Sequence, residues 1–576
     1  MNDSINLDNF GRMMNDSINF DNFGRVLWRV ANTLRDDTLQ ATQYLEEFSY
    51  FFFLKLWDDR EQTDEVQLKG LEEGDWYIPW IPEKYRFYNW SRRPTEWATQ
   101  HGFRNELDFI HKLFEDLQTL GDVISVTTDY EAGRLDNKLK DVPEGQLDIR
   151  AEEYAGRYYF RCPPKSPDAH IFASEVSHFV DRDLSLHRKI FKDYAPRVRY
   201  ASTVRALAER LRELELPADA EGRRTWDVLG RAYEFVVDKL GEQQQYGQYF
   251  TPRHIIQAMV EMAQPSLADS IYDPAFGTCG FLVIVYLQLQ KQIGRLPYSE
   301  REAAWTRLKT RTIYGTEKAP DVFKLGLMNM VLHGDGNSNL QPDDSLQPKA
   351  QMDHKEAHTL ILANPPFGPL AQERTDRAAF ADYAKQYDLL FMQHIMQSLQ
   401  EGGRAVVVIK EGFLFDGKRA YVNTRKRLVD DYDVQAVISL PSGVFNPYSG
   451  AKTSIIIFRK PRPGADTTKR VWCYDLRSDG RNLGATRQVL DPSRPDGDLP
   501  DMVARWRGHA EREGPKSWYA DVAEIRAHQY NLTAGRYAPP EVQATSHIAP
   551  DELINRAIEL EKSIVEDLEE LLKLVD

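Results

Sequence analysis

Beyond about position 225 the chain alternates short β-branched runs with stretches whose apolar residues recur three or four apart, and this change of period organises the reading. Ser270-Ile-Tyr272, Thr312-Ile-Tyr314, Thr359-Leu-Ile-Leu362, Ala405-Val-Val-Val-Ile409, Val434-Gln-Ala-Val-Ile438 and Ser454-Ile-Ile-Ile-Phe458 are predicted strands, with helices between them. Alternation of this kind specifies an α/β fold with a doubly wound sheet over 222–460. Ligands of such sheets lie beyond the carboxyl ends of the strands. Upstream, Trp28, Leu34, Leu45, Phe48, Phe52 and Leu56 recur at helical spacing, and Trp76, Trp80, Tyr85, Phe87 and Trp90 keep the aromatic density high. Residues 26–221 are therefore expected to form a mostly helical N-terminal domain. Residues 461–540, rich in Pro, Arg and Gly, are expected to be an irregular connector. Within 541–576 a C-terminal helix is predicted, with Leu553, Ala557, Leu560, Ile564, Leu568, Leu571 and Val575 making an apolar seam over about three heptads. A seam this long requires a second helix, from the same chain or from a partner. Residues 1–25 stand apart: MNDSINLDNFGR at Met1–Arg12 recurs at Met14–Arg25 with Phe20 in place of Leu7. A repeat this short cannot build a solenoid, and it is set aside as a duplicated start or tail.

Composition narrows the class. The 576 residues exceed a single core and predict two or three domains. A mean hydropathy of -0.55 describes a soluble globular chain. No apolar run approaches the roughly 18 residues that span a bilayer, so no membrane segment is expected. The start lacks the basic, apolar, small-residue progression of a signal peptide. Three widely separated cysteines, Cys162, Cys279 and Cys473, offer neither a disulfide framework nor a zinc cluster. A cytoplasmic protein without a metal site is expected. His354 and His358 lie four apart without the rest of a zinc signature and are expected on the surface.

The most informative run is Leu360-Ile-Leu-Ala-Asn364-Pro365-Pro366-Phe367, an apolar strand ending in a rigid turn. Its residue types suit a planar substrate bearing an exocyclic amine, such as adenine. The lone pair of that amine is delocalised into the ring, so a catalyst must draw the two N–H bonds out of plane. The side-chain oxygen of Asn364 and the carbonyl of Pro365 supply two acceptors, while the prolines fix the backbone and add no competing N–H. Phe367 would stack on the base. A pocket of this kind requires the nucleotide to be flipped out of a duplex. Asn364 cannot take a proton, and none need be taken before methyl transfer, because a methylated ammonium loses its proton to water. Three other segments accompany this run. Asp273-Pro-Ala275-Phe-Gly277-Thr278-Cys279-Gly280 follows a predicted strand and opens an apolar helix, where glycine admits close backbone approach and the helix start offers N–H groups. Glu317 ends the next strand, placed for both hydroxyls of a ribose. Gly247-Gln248-Tyr249-Phe250-Thr251-Pro252-Arg253 is an aromatic turn leading into a helix.

Taken in order, these segments resemble the amino-methyltransferases that use S-adenosylmethionine, and most closely the modification subunit of type I restriction-modification systems. The resemblance covers about Trp226 to Phe458 and, weakly, the helical ends. It implies a seven-stranded methyltransferase sheet and transfer of methyl to the N6 amine of adenine in DNA. It also implies a cofactor site formed by Gln248, Tyr249, Phe250, Thr251, Pro252 and Arg253, by Asp273, Ala275, Gly277, Thr278, Cys279 and Gly280, and by Glu317 on the ribose. Asn364, Pro365, Pro366 and Phe367 would be the catalytic run. The family's acid near the cofactor adenine is matched best by Asp344, with Asp335 as the competitor. Further likeness lies in Asp388-Leu-Leu-Phe391-Met-Gln393-His394, in Gly402-Gly403-Arg404, and from Leu440-Pro441 to Thr453. Phe276 and Cys279 stand where the family has small residues, and Phe276 is expected to crowd or stack on the cofactor. Lys410-Glu411 replaces a proline common after the fifth strand.

The resemblance also implies partners. Sequence choice would come from a specificity subunit shared by two modification subunits, with the C-terminal helices docking on its coiled coil, and a restriction subunit would complete the complex. A net charge of -15 is awkward for holding double-stranded DNA, whose phosphates reward positive charge. Either a partner brings the DNA or basic residues share one face. Lys418, Arg419, Arg425, Lys426 and Arg427 offer such a face, a solvated helix surface being the alternative. Gly412 to Arg419 (GFLFDGKR) nearly spells a phosphate-binding loop, but Arg419 replaces the magnesium-binding hydroxyl residue, so core packing plus a turn is expected. No cysteine follows a proline, which removes the thiolate route to methylation at cytosine carbon 5.

Overall fold

The computed structural model describes residues 26–27, 29–37, 41–68, 85–118, 150–154, 157–161, 174–175, 189–214, 233, 251–335, 339–370, 380–446, 449–484, 487–540, 554, 558 and 561. The duplicated start, Gln248, Tyr249 and Phe250, and all seven residues of the apolar seam after 551 lie outside the described residues. Residues 1–537 form one compact unit and 538–576 another.

Aromatic residues crowd the amino-terminal helices, and consecutive ones are buried because the helix that carries them is covered on every side. Helix α1 (Ala41–Leu68) buries Phe48, Phe51, Phe52, Phe53 and Trp57. Helix α2 (Glu106–Leu117) starts where the Asn105 side chain accepts the Asp108 N–H at 2.9 Å, and it buries Phe109, Ile110, Leu113 and Phe114. Tyr50 stacks on Tyr194 at 3.5 Å and meets Phe114 edge-on. Helix α3 (Ala201–Glu213) closes this layer with Val204, Leu207 and Leu211. Among the described residues this region also holds a small antiparallel sheet, β1 (Arg150–Tyr154), β2 (Arg157–Arg161) and β3 (Ser174–Glu175).

The main sheet follows helix α4 (Arg253–Ala263). Its strands are β4 (Ile271–Asp273), β5 (Ile313–Thr316), β6 (Asn339–Gln341), β7 (His358–Ala363), β8 (Leu399–Lys410), β9 (Asp433–Ser439), β10 (Thr453–Arg459), β11 (Arg470–Asp475) and β12 (Ser517–Asp521). They lie in the order β12-β11-β9-β10-β8-β7-β4-β5-β6. The run β6-β5-β4-β7-β8 is parallel, and β10 enters antiparallel between β8 and β9. Crossover helices cover it: α5 (Gly280–Arg295), α6 (Pro320–Leu332), α7 (Pro348–His354), α8 (Tyr387–Ser398), α9 (Glu411–Phe415) and α10 (Arg419–Asp430). Strands β4 to β10 are the seven expected. Among the described residues no helix is long and apolar enough to cross a membrane.

The stretch 461–540 departs from the connector expected of it. Strand β11 pairs in parallel with β9, and β12 pairs antiparallel with β11, extending the sheet to nine strands. Val471, Trp472, Cys473 and Tyr474 are all buried, and helix α11 (Leu499–Trp506) adds Leu499 and Met502. The Pro and Gly residues here form turns between elements and do not dissolve them. Nor do the five basic residues near 420 share a face. Arg425 is buried and donates to the carbonyls of Phe413 and Tyr530, and Arg427 pairs with Asp382, leaving Lys418, Arg419 and Lys426 exposed.

The Gly402-Gly403-Arg404 run is architectural. Gly402 has φ +79, and a Cβ on Gly403 would meet the His358 carbonyl at 3.0 Å. Arg404 then reaches from β8 to the turn before β4, donating to the carbonyls of Ala263 and Gln264 and to both oxygens of Asp269. Burial alone would raise the Asp269 carboxyl; hydrogen bonds from Arg404 and Thr359 outweigh it and hold the group below its usual range. Arg404→Met should therefore lower the unfolding free energy by about 3 kcal/mol, since it strands a buried carboxylate. Adding Asp269→Asn should restore part of that loss. Denaturant melts of both variants check this, and no recovery in the double variant would rule out the ion pair as the contribution of Arg404.

Candidate active site

Strands β5, β4 and β7 run parallel side by side, so their carboxyl ends deliver Glu317, the 274–279 loop and Asn364 to one rim. Asn364 directly follows β7 and is half-buried, Pro365 is buried, and Phe367 packs against the main core. The Asn364 Nδ2 donates to Thr251 Oγ1 at 2.8 Å. That bond joins the end of the aromatic turn, one residue before the Pro252 cap of α4, to the Asn-Pro-Pro-Phe run. Downstream, Gly368 has φ +96 and its carbonyl accepts the Tyr387 N–H at 2.9 Å, tying the run to the start of α8.

The other wall is the loop between β4 and α5. Asp273 is 1% exposed and its Oδ1 accepts the Ala275 N–H at 3.0 Å. Burial pushes its carboxyl up to about 8, so it is mostly neutral at pH 7. Gly277, at φ +57, donates its N–H to Glu317 Oε2 at 3.0 Å, while Oε1 accepts the Ala319 N–H at 2.8 Å. A Cβ built on Gly277 would meet nothing within 4 Å, so the backbone faces open space here. The Thr278 carbonyl accepts from Asn329 Nδ2 at 2.9 Å. Cys279 caps α5 at φ +65, and α5 packs so closely on α4 that a Cβ on Gly280 would lie 2.7 Å from Ile256 Cδ1. Burial raises the Cys279 thiol well above its usual range, which keeps it neutral.

The two candidate adenine-side acids are separated by the fold. Glu317 N–H donates to the Gln341 carbonyl at 3.1 Å, which brings the end of β6 beside Glu317. Asp344, three residues on, is half-buried and pairs with Lys318 Nζ at 2.7 Å. Asp335 is fully buried below α6, its N–H on the Met330 carbonyl. Of the two, Asp344 is on the rim.

Residues 224–545 match the family model for the N-6 DNA Methylase. The chain belongs to that family. Residues 23–144 also match the HsdM N-terminal domain. The chain is similar to the EcoEI methylase subunit of a type I restriction enzyme from Escherichia coli, 26% identical over 525 residues and covering 89% of each chain. It is also similar to the StySJI methylase subunit from Salmonella typhimurium, 31% identical over 313 residues, 50% of this chain and 57% of that one. The fold matches the methyltransferase subunit of a type I restriction-modification system from Streptococcus thermophilus, with a TM-score of 0.56 at 19% identity, over 90% of this chain and 99% of the other.

In this N-6 DNA methylase, Phe276 is committed to the core and does not lie open to a cofactor, contrary to expectation. It is 4% exposed, its ring 5.7 Å from that of Phe323. Two glycines make the room: a Cβ on Gly315 would meet Phe276 Cδ1 at 2.6 Å, and one on Gly326 would meet Cε2 at 2.9 Å.

The histidines expected on the surface are buried directly beneath the site. His354, His358 and His394 are 8%, 2% and 0% exposed around the buried Tyr272. The Tyr272 ring stacks on His354 at 4.2 Å and on His358 at 4.5 Å. Its hydroxyl lies 3.1 Å from Thr316 Oγ1, 3.2 Å from His394 Nε2 and 3.4 Å from Ser345 Oγ, and Ser345 Oγ donates to the Pro274 carbonyl at 2.6 Å. The sequence reading gave Tyr272, Ser345 and His394 no role, although Tyr272 directly precedes Asp273, Ser345 directly follows Asp344 and His394 ends the run that begins at Asp388.

Burial holds His358 and His394 down to about 3 and lowers His354 as well, so all three are neutral at pH 7. The unfolded chain takes up these protons near the ordinary value of 6.5 and the folded chain refuses them until much lower pH. Their contribution to stability is thus complete above about pH 6.5 and erodes as pH falls toward 3. Glu47 and Glu261, each pushed up to about 7 by burial, work in the opposite sense, so a difference between variants is the useful quantity. Melting temperature should fall less steeply between pH 7 and 5 in His394→Gln than in the wild type. Parallel curves would mean that His394 takes up its proton at the same pH in the folded and unfolded chain, and would rule out the effect of burial.

Proposed function

We propose that this chain is the modification subunit of a type I restriction-modification system, methylating the N6 amine of an adenine flipped out of double-stranded DNA. The observation that carries this reading is the bond from Asn364 Nδ2 to Thr251. With its nitrogen committed, the carboxamide is oriented to present Oδ1 as an acceptor, and the Pro365 carbonyl is the second. Together they draw the two N–H bonds of the amine out of the ring plane and return density to its lone pair. Pro366 stiffens the turn, and Phe367 stacks on the base. Asn364 has no capacity to hold the proton released after transfer, which passes to water.

The rim residues fit S-adenosylmethionine, which when bound supplies an electrophilic methyl group. Glu317 Oε2 accepts the Gly277 N–H and Oε1 the Ala319 N–H, and the carboxylate keeps acceptor capacity for the ribose. Open space at Gly277 admits a ligand against the backbone. Asp273, Ala275, Thr278, Cys279 and Gly280 shape that loop, and Asp344 is assigned to the cofactor adenine in preference to Asp335. Thr251, Pro252 and Arg253 close the opposite wall, and Gln248, Tyr249 and Phe250, which lie outside the described residues, are assigned to cofactor binding with them. The near-neutral Asp273 spares the pocket a second buried charge beside Glu317.

On the same reading the chain works in an assembly of two modification subunits on one specificity subunit, docked through the 551–576 seam, with a restriction subunit added for cleavage. The balance of -15 agrees with DNA recognition carried largely by a partner. The test is to co-express the chain with the specificity subunit from its own operon, methylate DNA with labelled cofactor and digest to nucleosides. The label should appear in N6-methyladenine; N4-methylcytosine would overturn the reading. Asn364→Ala should cut methylation by about 10²–10³-fold, the cost of one preorganised polar contact to a reacting centre, with cofactor affinity in calorimetry unchanged. Full methylation by that variant would remove Asn364 from the chemistry.

A further inference from the structure

We propose that the loop joining α9 to α10 is a second DNA-contacting element, in which Phe415 packs against the duplex beside the flipped nucleotide and Lys418 and Arg419 pair with backbone phosphates. This rests on the methylase reading above and goes beyond the residues that reading uses.

Place comes first. Ala363 pairs with Val407, so β8 runs three residues farther to Lys410 before the chain turns into α9. The loop therefore rises from the same carboxyl rim as Asn364, one strand away. Second, it is firmly held. Phe413 and Leu414 are fully buried, the Leu414 carbonyl accepts the Leu532 N–H at 3.0 Å, and Asp416 N–H closes on the Gly412 carbonyl at 2.8 Å. Arg425, 1% exposed, braces it from below by donating to the Phe413 carbonyl at 2.8 Å and the Tyr530 carbonyl at 2.9 Å. Yet Phe415, next in line, is 54% exposed. A large ring held out by a rigid support loses the burial its two predecessors gain, and what sets Phe415 apart from other exposed apolar residues is its place on the rim that carries Asn364, beside exposed cations.

Charge identifies that surface. Lys418 caps α10 and Arg419 is its first residue, with no acid in the first turn. Cations at the positive end of a helix are unfavourable unless an anion answers them. Lys410 is exposed on the same rim, and Lys452 joins it because Thr453 of β10 pairs with Lys410. Among the described residues three carboxylates face these four cations, one of them the buried Asp388, which interacts with Lys410. Asp416 accepts the Lys418 N–H and Nζ, and Glu411 is mostly buried against Lys452. A basic rim with a projecting aromatic ring, on a chain of net charge -15, is complementary to a polyanion with stacked bases.

The experiment uses the complex with its specificity subunit and a duplex carrying 2-aminopurine at the target adenine. For the Lys418→Ala/Arg419→Ala double variant, the slope of log affinity against log salt should shrink by about 2, one unit for each phosphate no longer neutralised. Lys355→Ala, at the exposed amino end of β7, should keep the wild-type slope. Phe415→Ala should weaken binding by about tenfold and reduce the 2-aminopurine signal, with cofactor affinity unaltered. A wild-type slope in the double variant, a Lys355→Ala slope reduced by as much, or undiminished binding by Phe415→Ala would each overturn the proposal. In parallel the wild-type complex is given an unmodified duplex, because 2-aminopurine has no N6 amine, and absence of N6-methyladenine after that DNA is digested to nucleosides is read separately as failure of the methylase assignment.

Discussion

The hydroxyl of Tyr272 holds the candidate site together from below. It reaches Thr316 at the end of β5, Ser345 in the loop after β6 and His394 on α8, and through Ser345 it extends to the Pro274 carbonyl. The segments bearing Asp273, Glu317 and Asp344 therefore share one buried support. A polar network in a core is costly when half satisfied and rigid when satisfied. Here each ring is neutral, so the network provides directional bonds without the cost of a buried charge. The parallel strands bring the three segments to the rim, and the network fixes their spacing.

Much of this was legible in the sequence because the site residues sit at strand ends, where local pattern and position coincide. Asn364, Glu317 and Gly277 each follow an apolar run and fall on the rim that a doubly wound sheet requires. What escaped was non-local or atypical. Asn339–Gln341 forms a strand without a β-branched residue, because pairing with β5 and burial of Leu340 override propensity. His354 and His358 were expected on the surface; α7 instead ends at His354 and the chain reverses through Glu356 at φ +51 into β7, which buries both rings against Tyr272. Arg425 looked like part of a surface cluster until carbonyls 12 and 105 residues away proved to be its partners. The bond between Asn364 and Thr251 spans 113 residues, and no spacing rule announces it.

Departures from the expected motif were resolved in the same non-local way. A phenylalanine in a glycine-rich cofactor loop reads as an obstruction only while its neighbours are unknown. Gly315 on β5 and Gly326 on α6 vacate the volume that the Phe276 ring fills, so bulk is moved from one wall to another with the packing density kept. The loop backbone keeps the conformation that Gly277 allows, and the side chain of Phe276 faces inward.

The segment beyond β10 has a part in this geometry too. Helix α4 carries Thr251 just ahead of its first turn, so the orientation of the Asn364 amide depends on where that helix begins. Its start is held from the far side by His254, whose Nε2 lies 2.8 Å from Asp479 Oδ2. Burial lowers His254 to about 4, so the ring is a neutral donor and the contact a hydrogen bond to a carboxylate that Arg487 also engages. Asp479 is fully buried, in the loop between β11 and α11. The two additional strands thus anchor a loop that fixes the start of α4, and α4 fixes the amide. An amine that is a poor nucleophile is activated only if its acceptors do not move, and here that rigidity is drawn from both ends of the domain.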